Sequence, residues 1–242
     1  MNSPKTIIIA ALAGVLPALI WLWFWLKEDR ERPEPKGLIL LTFVLGMISV
    51  LLVLPLEKFA SIMIMDKTGL TVALGFLEEF IKYIAASGIA LKSRYADEPI
   101  DYPIYMITAA LGFAAFENIL FLIQPISIQE TAVSLLTGNL RFLGATLLHT
   151  ASSAIIGIGL GLAFYKGKFT KTIYFLVGLI TAVALHSIFN FYIMKSNGEN
   201  FLQVFAFLWV FTVMILLIME KIRRMSPSIM KQISIEETAQ TH

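Results

Sequence analysis

Glu78, Glu79 and Lys82 stand near the middle of the stretch from Leu70 to Leu91, LTVALGFLEEFIKYIAASGIAL, which is long and apolar enough to cross a bilayer. Each such charge costs about 2.5 to 3.5 kcal/mol at the centre of a membrane helix, so three together need a reason beyond anchoring. Other apolar runs carry Glu117 with Asn118, His149 with Ser153, and His186 with Asn190. Adjacent carboxylates beside a lysine can supply a general base. Glu78 and Lys82 are four apart and share a helix face, with Glu79 rotated by about 100 degrees; this spacing pairs the lysine with Glu78 and leaves Glu79 available. His186 and Asn190 are also four apart and present an imidazole and an amide to one point, while His149 has Ser153 and Gly157 on its face.

Two chemistries follow. A glutamate and two histidines are the ligands of a hydrolytic zinc site, with water in the fourth position and a further carboxylate as base; the candidate ligands are Glu78, Glu117, His149 and His186. In a metal-free version a glutamate and a histidine activate the water, and histidine with Asn190 donates to the oxyanion. The bland readings are a buried ion pair that fixes helix register and polar side chains that hydrogen-bond across helices. A chain of Glu, Lys and His would also suit an ion- or proton-coupled transporter, although neither an inverted repeat nor a pair of Gly/Pro-broken helices is visible.

The elements that must position these groups are helices in a membrane. The 242 residues are 57% hydrophobic and 15% charged, a composition outside the range of soluble domains, and the mean hydropathy is +0.78. Loops between the apolar runs are too short for a soluble domain, so the spans carry the function. Without cysteine, disulfides and thiolate-bound metals are excluded. The basic residues are dispersed among short loops, which argues against a nucleic-acid partner.

Seven spans are expected: Thr6 to Leu26, Gly37 to Leu54, Leu70 to Leu91, a fourth from Pro103 to near Gln124, Asn139 to Tyr165, Thr172 to Met194, and Phe201 to Met219. The first is retained, because WLWFWL runs into KEDRERPEPK without a small-residue cleavage site. Trp21, Trp23 and Trp25 mark its interface end, and Arg141 anchors the mouth of the fifth span. Pro55 to Gly69 reads as an interfacial connector and Gln124 to Gly138 as a mixed, re-entrant one. Gly157, Gly159 and Gly161 let a neighbouring helix approach. The seventh span, free of charge until its end, serves as packing.

The loops after spans one, three and five, with the C-terminal tail, hold thirteen Lys and Arg, against five on the other side. That asymmetry puts the N-terminus outside and the C-terminus in the cytoplasm. Measured from the outer ends of their spans, Glu78, Glu117, His149 and His186 then all lie about 9 to 15 Å deep at 1.5 Å per residue. Scattered solubility charges would have no reason to align.

The motifs resemble those of the PrsW family of intramembrane proteases, relatives of the type II CAAX prenyl endopeptidases and bacteriocin-immunity proteins. Glu78-Glu79-Phe80-Ile81-Lys82 matches EExxK, Phe116-Glu117-Asn118 with Phe121 is similar to FExxxY, His149 follows in the next helix, and His186 to Asn190 matches HxxxN. Asp29 to Pro35 is similar to the family's acidic, proline-containing segment after its first span. The likeness covers residues from about 20 to 190, with Phe121 where the family has Tyr, so any role of that hydroxyl is absent or supplied elsewhere. It implies hydrolysis of a peptide bond in a membrane-bound substrate, as in the first, outer-side cut of an anti-sigma factor, or else an inactive scaffold or immunity relative.

The expectation is therefore an all-α, seven-helix protein of the cell membrane, with residues 1–220 as one protease-like domain and 221–242 as a polar, partly disordered cytoplasmic tail. Glu78, Glu79, Glu117, His149, His186 and Asn190 are the catalytic candidates, supported by Lys82, Asn118 and Ser153. The partners are a membrane-bound protein substrate and lipid.

Overall fold

A computed structural model describes residues 4–29, 32–127, 132–196 and 201–226. Its seven α-helices are α1 (Pro4–Trp25), α2 (Lys36–Met63), α3 (Lys67–Ile89), α4 (Asp101–Ser127), α5 (Ala132–Leu162), α6 (Lys168–Ser196) and α7 (Phe201–Arg223), with one short 3-10 turn (Leu26–Asp29). There is no strand among the described residues. Helices are what lipid demands, because each satisfies its backbone hydrogen bonds internally. Embedded hydroxyls do the same: Thr42, Thr108 and Thr150 each donate to the carbonyl four residues back, at 2.7 to 2.8 Å.

Six of the seven are long and apolar enough to cross a membrane, and the chain is a multi-pass membrane protein. The helix outside that set is α3, which is long enough but carries Lys67, Glu78, Glu79 and Lys82. The bundle compensates by burying its charged middle turn. Outward faces are apolar, as at Leu40, Ile180 and Leu217.

At the centre lies α4, whose run from Ile104 to Ala115 is almost wholly buried against α1, α2 and α5. Its crossing with α2 is backbone on backbone. A Cβ at Gly46 would overlap the Ala109 carbonyl and one at Gly112 would overlap the Phe43 carbonyl, so both sites accept only glycine. The expected close approach along α5 is also present: Gly157 abuts Pro103, Gly159 the Tyr174 carbonyl and Gly161 the Pro99 carbonyl. One end of the bundle is tied by the proline-containing segment after α1. Arg32 pairs with Glu98 at 3.0 Å, Glu34 accepts from the Tyr105 hydroxyl, and Asp101 caps the turn by accepting from the Glu98 amide at 2.6 Å.

Several boundaries differ from the sequence reading. Pro55 to Gly69 is not an interfacial connector: α2 runs through Pro55 to Met63, and only Ile64 to Asp66 separate it from α3. Proline costs a single backbone hydrogen bond inside a helix, and a charged turn inside a packed helix looks like a loop to a hydropathy scan. Asp66 caps α3, accepting from the Gly69 amide at 2.6 Å. The presumed connector Gln124 to Gly138 is largely helical, since α4 reaches Ser127 and α5 begins at Ala132. Trp23 is exposed as an interface residue should be, with Lys27 over its ring, but Trp25 is buried in the core. The side chain of Arg141 and the tail from 227 onward lie outside the described residues.

The α2/α4 crossing yields a test. Gly112→Val forces backbone apart and is expected to cost about 1 to 3 kcal/mol, read as a lower thermal midpoint in detergent. Gly88→Ala, where a Cβ meets open space, should hold or raise that midpoint.

Candidate active site

Four helices deliver the polar set to one place. α3 supplies Glu78, Glu79 and Lys82; α4 supplies Glu117; α5 supplies His149 and Ser153; and α6 supplies His186. All but Glu117 are buried, and the Glu117 side chain is 24% exposed, so the group opens on its side.

Glu79 is the best-held member. Its Oε1 accepts from Lys82 Nζ at 2.8 Å and from His186 Nδ1 at 2.9 Å, and its Oε2 accepts from the Ser153 hydroxyl at 2.6 Å. A carboxylate can only accept, so Nδ1 of His186 carries a proton, and its Nε2 lies 3.6 Å from Glu78 Oε2. His149 repeats the pattern with its nitrogens exchanged. Nε2 donates to Glu117 at 2.7 Å, which leaves Nδ1 facing Glu78 at 3.6 Å and accepting from Lys82 Nζ at 2.8 Å. Each imidazole is thus backed by its own carboxylate, the arrangement that fixes tautomer and ring direction in metal-ligating histidines.

Glu78 differs from its neighbour. Its Oε2 lies 3.5 Å from Lys82 and 3.6 Å from both rings, too far for strong hydrogen bonds. The i,i+4 spacing pointed the lysine at Glu78, yet the shorter contact is to Glu79. The reason lies in the tertiary fold, because Ser153 and His186 hold Glu79 where Lys82 reaches it. One atom each from Glu78, His149 and His186 lie within 4.8 Å of one another, a set able to hold a metal ion. Glu117, a candidate ligand from sequence, instead sits on the far nitrogen of His149.

Two predicted residues take no part in this hydrogen-bond network. Asn118 donates to Thr146 at 3.1 Å and ties α4 to α5. Asn190 is half-buried, one turn beyond His186, and makes no hydrogen bond among the described residues. Phe121 is exposed. Sequence reasoning missed Phe113, whose ring lies 4.3 Å from Lys82 Nζ and covers the ammonium; its place four before Glu117 was the available signal.

Because Lys82 and Glu79 are both fully buried, removing one strands the other. Lys82→Met is expected to cost about 3 to 5 kcal/mol. The double variant Lys82→Met/Glu79→Gln should be less destabilised than the sum of the single ones, a coupling that denaturation of all four proteins measures.

The sequence of residues 34–219 matches the model of a family described as PrsW family intramembrane metalloprotease. Protease PrsW of Bacillus subtilis is 27% identical over 207 residues, covering 82% of this chain and 90% of that protein. The Oceanobacillus iheyensis protein of the same name is 30% identical over 214 residues, with the same coverages, and that of Geobacillus kaustophilus 28% over 196 residues, covering 76% and 80%. No solved structure gives a significant match. With four motifs in order and a match over most of its length, the chain belongs to the PrsW family of intramembrane metalloproteases.

Proposed function

We propose that this peptidase hydrolyses a peptide bond in a membrane-bound protein substrate, near the outer face, as in the first cut of regulated proteolysis of an anti-sigma factor. The observation that carries this reading is the convergence of Glu78, His149 and His186, with a separate carboxylate behind each imidazole. In this reading residues 1–220 form one protease domain, with the N-terminus outside and the tail from 221 in the cytoplasm.

The donor set suits a divalent metal such as zinc: one carboxylate and two imidazoles whose outward nitrogens donate to Glu117 and Glu79, which turns the inward ones toward the ion. Glu78, His149 and His186 would hold the ion, which when bound would acidify a water and polarise the substrate carbonyl. Lys82, now hydrogen-bonded to His149 Nδ1, would have to yield that nitrogen and keep its bond to Glu79. Glu117 holds His149 from its far nitrogen. In the metal-free version Glu78, which has no short hydrogen bond, takes a proton from the water as the water oxygen bonds to the carbonyl carbon, then returns a proton to the amide nitrogen as the C–N bond breaks. Asn190 donates to the oxygen of the tetrahedral intermediate, and Glu79 acts by orienting His186 and holding Lys82.

Reconstituted with a single-pass candidate substrate, the wild-type protein is expected to cleave. Glu78→Gln and His149→Ala should abolish cleavage, while Glu79→Gln should lower it about 10- to 100-fold by loosening His186. Cleavage untouched by all three changes would refute the assignment, and proton flux without cleavage would favour a carrier. Metal analysis of the same preparations should find one ion per chain, lost in His149→Ala; full activity in metal-free protein would move the chemistry to the Glu/His mechanism.

A further inference from the structure

Beside this site stands a carboxylate that the mechanism does not use. Glu57 belongs to α2 and is half-buried. It continues the face of Val50 and Val53, which pack with Phe113, Phe116, Leu77 and Ile81 against the charged turn of α3. Glu57 is six residues from the end of α2 at Met63, and Glu78 is eleven from the start of α3 at Lys67, so Glu57 lies about 7 Å nearer that end of the bundle. Its Cα–Cβ bond tilts toward the helix N-terminus, which leans the carboxylate back toward Glu78 and Glu117.

No hydrogen bond or ion pair reaches Glu57 among the described residues. The charges that act on it are Glu78, Glu117, Lys82 and His186, and Lys82 is already committed to Glu79 and His149. A carboxylate inside a membrane helix, facing two others without a cation of its own, is an expense that packing does not repay. A cation brought in by the substrate would repay it. The offset of about 7 Å equals about two residues of extended chain.

We propose that Glu57 is a specificity-determining residue that receives a lysine or arginine side chain of the substrate about two residues from the scissile bond, on the side toward the α2–α3 turn. This rests on the peptidase reading above. Glu57 and Glu117, the less buried carboxylates, also repel an acidic residue at that position, so the preference is set by attraction and rejection together.

The test uses the full-length protein in liposomes and a single-pass substrate carrying Lys, Ala or Glu at each of three positions on either side of the scissile bond. Wild type should favour Lys over Glu on the order of tenfold at one position about two residues from the cut, mainly through KM. The Lys-to-Glu ratio should approach one in Glu57→Gln, fall below one in Glu57→Lys and persist in Glu57→Asp. A ratio that survives Glu57→Gln, or a variant that slows all three substrates alike, overturns the proposal while leaving the peptidase reading intact. Failure of wild type to cut any substrate overturns both.

Discussion

The Lys82 ammonium is fully buried and lies within hydrogen-bonding distance of Glu79 and His149. An isolated charge at that depth would cost several kcal/mol, and α3 could not keep its charged turn inside the bundle. Glu79 offsets part of the cost within α3, and α5 and α6 offset more through His149, Ser153 and His186. Holding α3 in the bundle and holding the site together thus rest on the same contacts. The same ion pair that lets the helix occupy the membrane also fixes where its two glutamates point.

From that constraint follows a division between the glutamates. Glu79 has both oxygens occupied by Lys82, His186 and Ser153, so it is rigid and already satisfied. Glu78 faces the same lysine and both rings at 3.5 to 3.6 Å, close enough to feel them and free enough to take another partner. The rigid carboxylate sets the histidine tautomer, and the looser one borders the space where a ligand would sit. Buried polar networks stay ordered when their members are satisfied, and in this one Glu78 is the carboxylate without a short hydrogen bond.

Backbone packing sets the accuracy of this arrangement. α4 can bring Glu117 to His149 because Gly46 and Gly112 let it cross α2 without intervening side chains. Asn118, bonded to Thr146, holds α4 against α5 just beside that contact. At one end, Arg32 and Glu34 fasten the segment after α1 to Glu98 and Tyr105. The proline-containing motif thus lies far from the chemistry and serves the start of α4, the helix on which the others are built.

Membrane class, helical secondary structure and a candidate set of polar residues were legible along the chain, because hydropathy and the 1.5 Å rise are properties read one residue at a time. Motif order made the family legible as well. Packing between helices settled which glutamate Lys82 pairs with and that Glu117 backs His149, neither of which spacing along one helix shows. Packing likewise carries α2 through Pro55 and keeps Glu57 on the helix face that continues from Val50 and Val53. Spacing within one helix fixes an angle, but a hydrogen bond between helices depends on the rotation and approach of both, and packing sets those.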